Sequence, residues 1–131
     1  MHYVELVAIL AVLQFIAFGA LTGRARARSG LKAPAVSGDE GFERMYRVQM
    51  NTLEVMIAFL PALFLAAKYW SPTWAAGLGA VYLVGRLLYW RAYVANPAKR
   101  GLGFLLSMLP TMVLAIGALV GICRALAGAG A

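Results

Sequence analysis

The sequence predicts an all-α integral membrane protein, built as a bundle of four transmembrane helices. Of its 131 residues, 63% are apolar and only 13% are charged, whereas a soluble domain typically carries about 25% charge. The mean hydropathy of +0.78 points the same way, because a surface that faces lipid needs no polar groups. This composition excludes a free cytosolic enzyme, a disulfide-stapled secreted domain and a nucleic-acid-binding module, although the net charge is +7.

The first helix is predicted over about residues 3–23. The run Tyr3–Leu21 is apolar except for Glu5 and Gln14. A cleaved signal would begin with a basic region, so we interpret this segment as a retained helix. The loop that follows, about residues 24–42, contains three glycines, one proline and two serines, which favour irregular structure.

Three more helices complete the predicted bundle, and residues 1–131 form a single domain. The second, about 43–69, is strongly apolar only in its second half, so its first turns leave the bilayer or face a protein interior. The third, about 73–95, contains Arg86. The fourth is predicted over about 101–124, and its apolar run Leu102–Cys123 carries no charge. Each span is close to the roughly 20 residues that a membrane-crossing helix needs.

The basic residues are concentrated at one end of the predicted bundle. Lys68 and Arg124 lie near the other end, whereas the first and third loops and the helix ends beside them hold Arg24, Arg26, Arg28, Lys32, Arg44, Arg47, Arg91, Lys99 and Arg100. The positive-inside rule therefore predicts that loops one and three are cytoplasmic and that both termini lie on the opposite side.

Polar side chains form a stripe on each of the two middle helices. Arg47, Asn51 and Glu54 stand at i, i+4 and i+7, with Gln49 to one side, so the three share a face of the second helix. A charge inside a membrane helix costs about 2.5–3.5 kcal/mol on insertion scales. Such residues are therefore candidates for a functional site.

On the third helix Arg86, Tyr89 and Tyr93 share a face, and Arg100 lies two turns further if the helix continues through Pro97. Both stripes occupy cytoplasmic helix ends and can meet. Guanidinium, amide, carboxylate and phenol groups together suit a small zwitterion with excess negative charge. The alternative is that the arginines extend to the interface and the aromatic residues form an interfacial belt.

Four stretches of the sequence carry a family likeness: Phe42–Glu54, Gly77–Gly79, Val84–Tyr89 and Pro97–Arg100. They resemble the MAPEG family, the membrane-associated proteins of eicosanoid and glutathione metabolism. The likeness is closest to the branches of the third microsomal glutathione transferase and of leukotriene-C synthase.

The resemblance implies a homotrimer of four-helix subunits that binds glutathione between neighbouring subunits. It assigns the thiol-activating role to Arg100 and places the glutathione contacts on Arg26, Arg47, Gln49, Asn51, Glu54, Arg86, Tyr89 and Tyr93. Val55 and Met56 stand where relatives have a tyrosine, and Ala27 replaces a second arginine of the leukotriene branch. We also expect Gly117 and Gly121 at subunit contacts, because small residues let membrane helices approach closely.

The implied activity is a membrane-bound glutathione transferase, with glutathione peroxidase activity as an extension, acting on hydrophobic electrophiles or lipid substrates from the bilayer. Glutathione is the co-substrate, and no metal is expected, because the chain has one histidine and one cysteine. Two alternatives stay open. One is a non-catalytic, lipid-binding scaffold of the same family, and the other is a small multidrug transporter, which would need an acidic residue at mid-membrane in the first helix.

Overall fold

The computed structural model describes residues 1–130 and contains four α-helices over that range. They are α1 (His2–Ser29), α2 (Glu40–Tyr69), α3 (Pro72–Ala95) and α4 (Gly101–Gly130), with a short 3-10 helix at Pro97–Lys99 between α3 and α4. The predicted all-helical class is confirmed.

Helices α1, α2 and α4 are long and apolar enough to cross a membrane, whereas α3 falls outside that group. We expected four such spans. The two arginines of α3, Arg86 and Arg91, lower the mean hydropathy of this 24-residue helix. Helix α3 nevertheless packs against all three of the others, so it is an integral part of the bundle.

Helix α1 is longer than predicted, and the loop after it is shorter. The helix continues past residue 23 through Arg24, Arg26 and Arg28, because alanine and arginine are among the best helix formers. The helix ends at Ser29, and Gly30 caps it. Gly30 has a φ of 77°, in the left-handed region that favours glycine, and its N–H donates to the Arg26 carbonyl. The loop therefore spans residues 30–39 instead of 24–42.

Short capping sequences set the ends of α2 and α3. The Asp39 carboxylate accepts a 2.9 Å hydrogen bond from the Phe42 N–H and starts α2. Ser71 caps α3 in the same way, and α3 ends at Ala95. The helix does not continue through Pro97, because Asn96 before the proline is extended. Arg100 consequently lies at the junction with α4 rather than on α3.

Two apolar clusters hold the helices together. The larger one involves all four helices and contains a stacked pair, Phe59 and Tyr82, with ring centroids 3.8 Å apart. The smaller one, which includes Phe18, Met45 and Tyr89, lies toward the basic end. Large apolar side chains also cover the outer surface of the helices, as expected where lipid is the solvent.

Glycines bring α3 and α4 into close contact beside the polar stripes. A Cβ atom on Gly103 would lie 2.6 Å from Tyr89 Cα, and one on Gly85 would lie 2.7 Å from the Leu106 carbonyl carbon. Neither position accepts a side chain without separating the two helices. This contact brings the first turns of α4 next to Tyr89.

Gly117 and Gly121 pack inside the subunit, against the aromatic residues between α2 and α3. A Cβ atom on Gly121 would overlap Tyr69, and one on Gly117 would lie 3.1 Å from the Trp74 ring. The Trp70 indole N–H also donates to the Gly117 carbonyl at 2.7 Å. The pair thus has packing partners within the chain, and its place at a subunit contact stays a prediction.

Candidate functional site

Arg86 is fully buried and connects three helices. Its Nη1 donates to Asn51 Oδ1 at 2.8 Å and to Thr52 Oγ1 at 3.3 Å, and its Nη2 donates to Ser107 Oγ at 2.9 Å. Asn51 and Thr52 belong to α2, and Ser107 belongs to α4. Burying a charge is costly unless its polar atoms find partners. Both terminal nitrogens of Arg86 have such partners, whereas its Nε has none among the described residues. This network therefore fixes the relative positions of α2, α3 and α4.

Aromatic rings extend this network toward the surface. The Arg86 guanidinium lies 4.3 Å from the centroid of the Tyr89 ring, a cation–π distance. Tyr89 in turn stacks on Tyr93, with centroids 5.5 Å apart. Arg86 consequently contacts both Asn51 and Tyr89 from the interior and limits the motion of each.

A cavity of about 600 Å³ opens on the outer side of Asn51 and Tyr89 at the basic end of the bundle. It lies between α2, α3 and the start of α4, and its walls are Arg47, Asn51, Tyr89, Tyr93, Ala98, Arg100, Gly101 and Phe104. Its volume is within the range of about 300–1,000 Å³ typical of small-molecule sites. Most of its polar wall consists of residues that the sequence singled out.

Arg47 and Glu54 form an ion pair beside the cavity. Arg47 Nη1 and Glu54 Oε1 are 3.3 Å apart, and both side chains are about half exposed, at 52% and 55%. An ion pair this exposed is weak, contributing about 0–1 kcal/mol. Both charged groups are therefore available to an incoming ligand.

Arg100 reaches the cavity because the chain turns after α3. Its Nη1 donates to the Pro97 carbonyl at 3.0 Å, which orients the guanidinium within the short link. Phe104, one turn into α4, lines the same cavity and is 40% exposed. The cavity thus has a cationic side at Arg100 and an apolar edge at Phe104.

The remaining predicted residues lie away from this cavity within one chain. Arg26 donates to the Ala35 carbonyl at 2.7 Å. Gln49 faces α1, where its Nε2 would lie 3.2 Å from a Cβ on Gly19. Glu54 lies outside the walls and pairs with Arg47, and Arg86 is fully buried behind Asn51 and Tyr89. The cavity therefore holds Arg47, Asn51, Tyr89, Tyr93 and Arg100, and excludes Arg26, Gln49, Glu54 and Arg86 from its walls.

Neither Thr52 nor Ser107 was among the site residues predicted from the sequence. Ser107 is fully buried and also donates to the Gly103 carbonyl at 2.7 Å. For Ser107 the available signal was a hydroxyl within the uncharged run Leu102–Cys123, but such groups commonly bond their own backbone. Its role as an acceptor for Arg86 follows only from the packing of α3 on α4.

The chemistry available at the cavity is the binding and stabilisation of anions. Guanidinium, amide and phenol groups donate hydrogen bonds, and Arg groups bind carboxylates through two parallel bonds. Within residues 1–130, no group of three or more His, Cys, Asp or Glu side chains could hold a metal ion.

The sequence is similar to known membrane proteins. The model of the MAPEG family matches residues 4–120. An uncharacterized protein of Synechocystis sp. is 48% identical over 89% of this chain and 85% of its own length.

Two named relatives are more distant. Microsomal glutathione S-transferase 2 of Homo sapiens is 38% identical over 78% of this chain and 69% of its own length. Leukotriene C4 synthase of Cavia porcellus is 36% identical over 72% of this chain and 63% of its own length. The transferase is of the second microsomal type, whereas the sequence motifs resembled the third.

Proposed function

The chain belongs to the MAPEG family, and from this premise we propose that it is a membrane-bound glutathione transferase that activates the glutathione thiol and conjugates it to a hydrophobic electrophile. Family membership together with three apolar helices makes the chain a multi-pass membrane protein. The observation that carries the proposal is the cavity that combines Arg47, Asn51 and the two tyrosines with Arg100.

The charges of the cavity and its rim match those of glutathione, which has two carboxylates and one ammonium group. Arg47 is suited to a carboxylate, and Glu54 to the ammonium. Because these two side chains are already 3.3 Å apart, glutathione would exchange one weak ion pair for two contacts of its own. Asn51 and the hydroxyl groups of Tyr89 and Tyr93 supply hydrogen bonds around it.

Arg100 is the residue we assign to thiol activation. A free thiol has a pKa near 8.5, so only a few per cent is thiolate at neutral pH, and the thiolate is the nucleophile. A guanidinium beside the sulfur favours the charged form, and each unit of lowered pKa corresponds to about 1.36 kcal/mol. The thiol proton leaves to solvent, so no protein base is required.

The thiolate then attacks an electrophilic carbon and forms a C–S bond. With an aryl halide the halide leaves with its bonding electrons, and with an epoxide the ring oxygen takes the electron pair and a proton from water. Phe104, at the apolar edge of the cavity, is placed to contact a substrate that arrives from the lipid. We also propose reduction of lipid hydroperoxides by the same thiolate. Two glutathione molecules supply the two electrons, the O–O bond breaks, and the products are a lipid alcohol, water and glutathione disulfide.

We propose that the working assembly is a homotrimer in which neighbouring subunits share each glutathione site. The support is that Arg26 and Gln49 point away from the cavity of their own chain. Both residues would join a glutathione site only from another copy. By the distribution of basic residues, the cavity lies at the cytoplasmic side of the membrane.

The proposal is tested by titrating glutathione into the purified protein by calorimetry and by measuring conjugation to a model aryl halide. We expect saturable heat and conjugation in the wild type, and reduced conjugation in Arg100→Ala. Heat without conjugation would favour a non-catalytic, lipid-binding scaffold. Neither heat nor conjugation, with drug uptake into proteoliposomes, would favour the transporter.

A further inference from the structure

A second cleft at the basic end of the bundle shares no residue with the candidate glutathione cavity. It has a volume of about 390 Å³ and lies where the last turns of α1 meet the first turns of α2 and the last turns of α3. Its walls are Leu21, Arg24, Ala25, Arg28, Ser29, Asp39, Gly41, Phe42, Met45, Trp90 and Val94.

Arg24 and Arg28 form the cationic rim of this cleft. They stand at i and i+4 on α1 and therefore share a face of the helix. Both are exposed, and neither takes part in an ion pair within residues 1–130. Asp39 is the acidic residue of the cleft, and its carboxylate already accepts from the Phe42 N–H. The cleft thus keeps a net positive charge.

Apart from Ser29, whose hydroxyl donates to the Arg26 carbonyl, the rest of the cleft is apolar and lies next to the membrane span of α1. Phe42 and Met45 are buried, Leu21 and Trp90 are partly exposed, and the Trp90 ring packs against Phe18 with centroids 5.8 Å apart. Tryptophan is typical of the depth at which lipid head groups begin. A ligand here meets two guanidinium groups on its polar side and hydrocarbon on the other.

We propose that this cleft binds an anionic phospholipid, with its phosphate on Arg24 and Arg28 and its upper acyl chain on the apolar wall. Guanidinium groups bind phosphate oxygens through paired hydrogen bonds. Basic pockets between membrane helices bind anionic head groups. A zwitterionic choline lipid is disfavoured, because its ammonium would lie beside Arg24 and Arg28.

The binding test uses nanodiscs that contain equal amounts of phosphatidylglycerol and phosphatidylcholine. The protein is released from them in a native mass spectrometer, and the lipids that stay bound are counted. We expect the wild type to retain phosphatidylglycerol in preference to phosphatidylcholine. The basic residues that line the cleft are Arg24 and Arg28, and each should contribute about fivefold through its contact with the bound head group, the size of effect of a basic residue close to an anionic lipid surface. Arg24→Gln with Arg28→Gln should therefore lower the preference about 25-fold.

The matched control is Lys32→Gln with Lys99→Gln, which removes the same charge from the same end of the bundle and leaves the cleft walls intact. This double variant should keep the wild-type preference. Equal retention of the two lipids by the wild type would overturn the proposal without any variant. An equal loss in both double variants would also overturn it, because the effect would then be one of net charge alone.

Discussion

Arg86 donates a 2.8 Å hydrogen bond to the amide oxygen of Asn51, and this bond connects the interior of the bundle to the wall of the candidate glutathione cavity. Arg86 is inaccessible to solvent in the subunit, so its effect on a ligand passes through Asn51 and Tyr89. Arg86 therefore positions the wall of the cavity and does not line it.

Replacing Arg86 with lysine should destabilise the protein. The lysine keeps the charge but lacks the planar fork that reaches Asn51, Thr52 and Ser107 together. Loss of a hydrogen bond to a charged group costs about 1.5–3 kcal/mol. We expect the free energy of unfolding to fall by at least the contribution of one such bond. Thermal unfolding in mild detergent is the measurement. Arg91→Lys, on the exposed side of α3, is the control, and an equal effect of the two changes would contradict the network.

Arg100→Ala should lower turnover more than it weakens glutathione binding. Its proposed contact is with the sulfur, whose charge determines the rate of attack, and not with the carboxylates that anchor the peptide. Stopped-flow measurement of thiolate absorbance in the wild type, Arg100→Ala and Lys99→Ala checks this. If thiolate forms fully without Arg100, or if only the Lys99 variant loses it, the catalytic assignment is wrong.

Arg47→Ala, Asn51→Ala and Glu54→Ala should each weaken glutathione binding. Each change leaves a charged or polar group of the ligand without its partner, at a cost of about 1–3 kcal/mol. Calorimetric titration of glutathione measures the three affinities, with Lys32→Ala as a control outside the cavity. Unchanged affinity in all three variants would contradict the site and would indicate that these residues only face the membrane interface.

Gly103→Ala should disrupt the packing of α3 on α4, because a Cβ atom there would lie 2.6 Å from Tyr89 Cα. We expect a loss of about 1–3 kcal/mol or more, as in other overpacked sites, with weaker glutathione binding as Tyr89 shifts. Gly101→Ala is the control, since nothing lies within 4 Å of its added Cβ. Thermal unfolding of the two variants should differ clearly, and similar melting temperatures would contradict the close contact.

Mixed assemblies should reveal whether subunits share the glutathione site. If Arg26 acts on the cavity of a neighbour, co-expression of Arg26→Ala with Arg100→Ala chains produces some sites with both arginines intact. Conjugation should then exceed that of either variant alone. Cross-linking in mild detergent gives the subunit number, and a dominant monomer or dimer would exclude the trimer.

Much of the architecture could be predicted from the sequence, because it depends on local chemistry. Apolar runs near the length of a bilayer predict helices, and the 3.6-residue period places Arg47, Asn51 and Glu54 on one face regardless of what surrounds them. The high proportion of apolar residues likewise predicted that the outer surface would be apolar. These features depend on neighbours within a few turns of the same helix.

The tertiary structure decided which of those polar groups are buried and which line a cavity. The periodicity that aligned Arg86 with Tyr89 could not indicate that Thr52 and Ser107 would accept hydrogen bonds from it, because both residues lie on other helices. Likewise, the use of Gly121 inside the subunit depends on Tyr69 of α2. Contacts between residues distant in the chain are set by how whole helices pack, and a helical period records only the direction in which a side chain leaves its own helix.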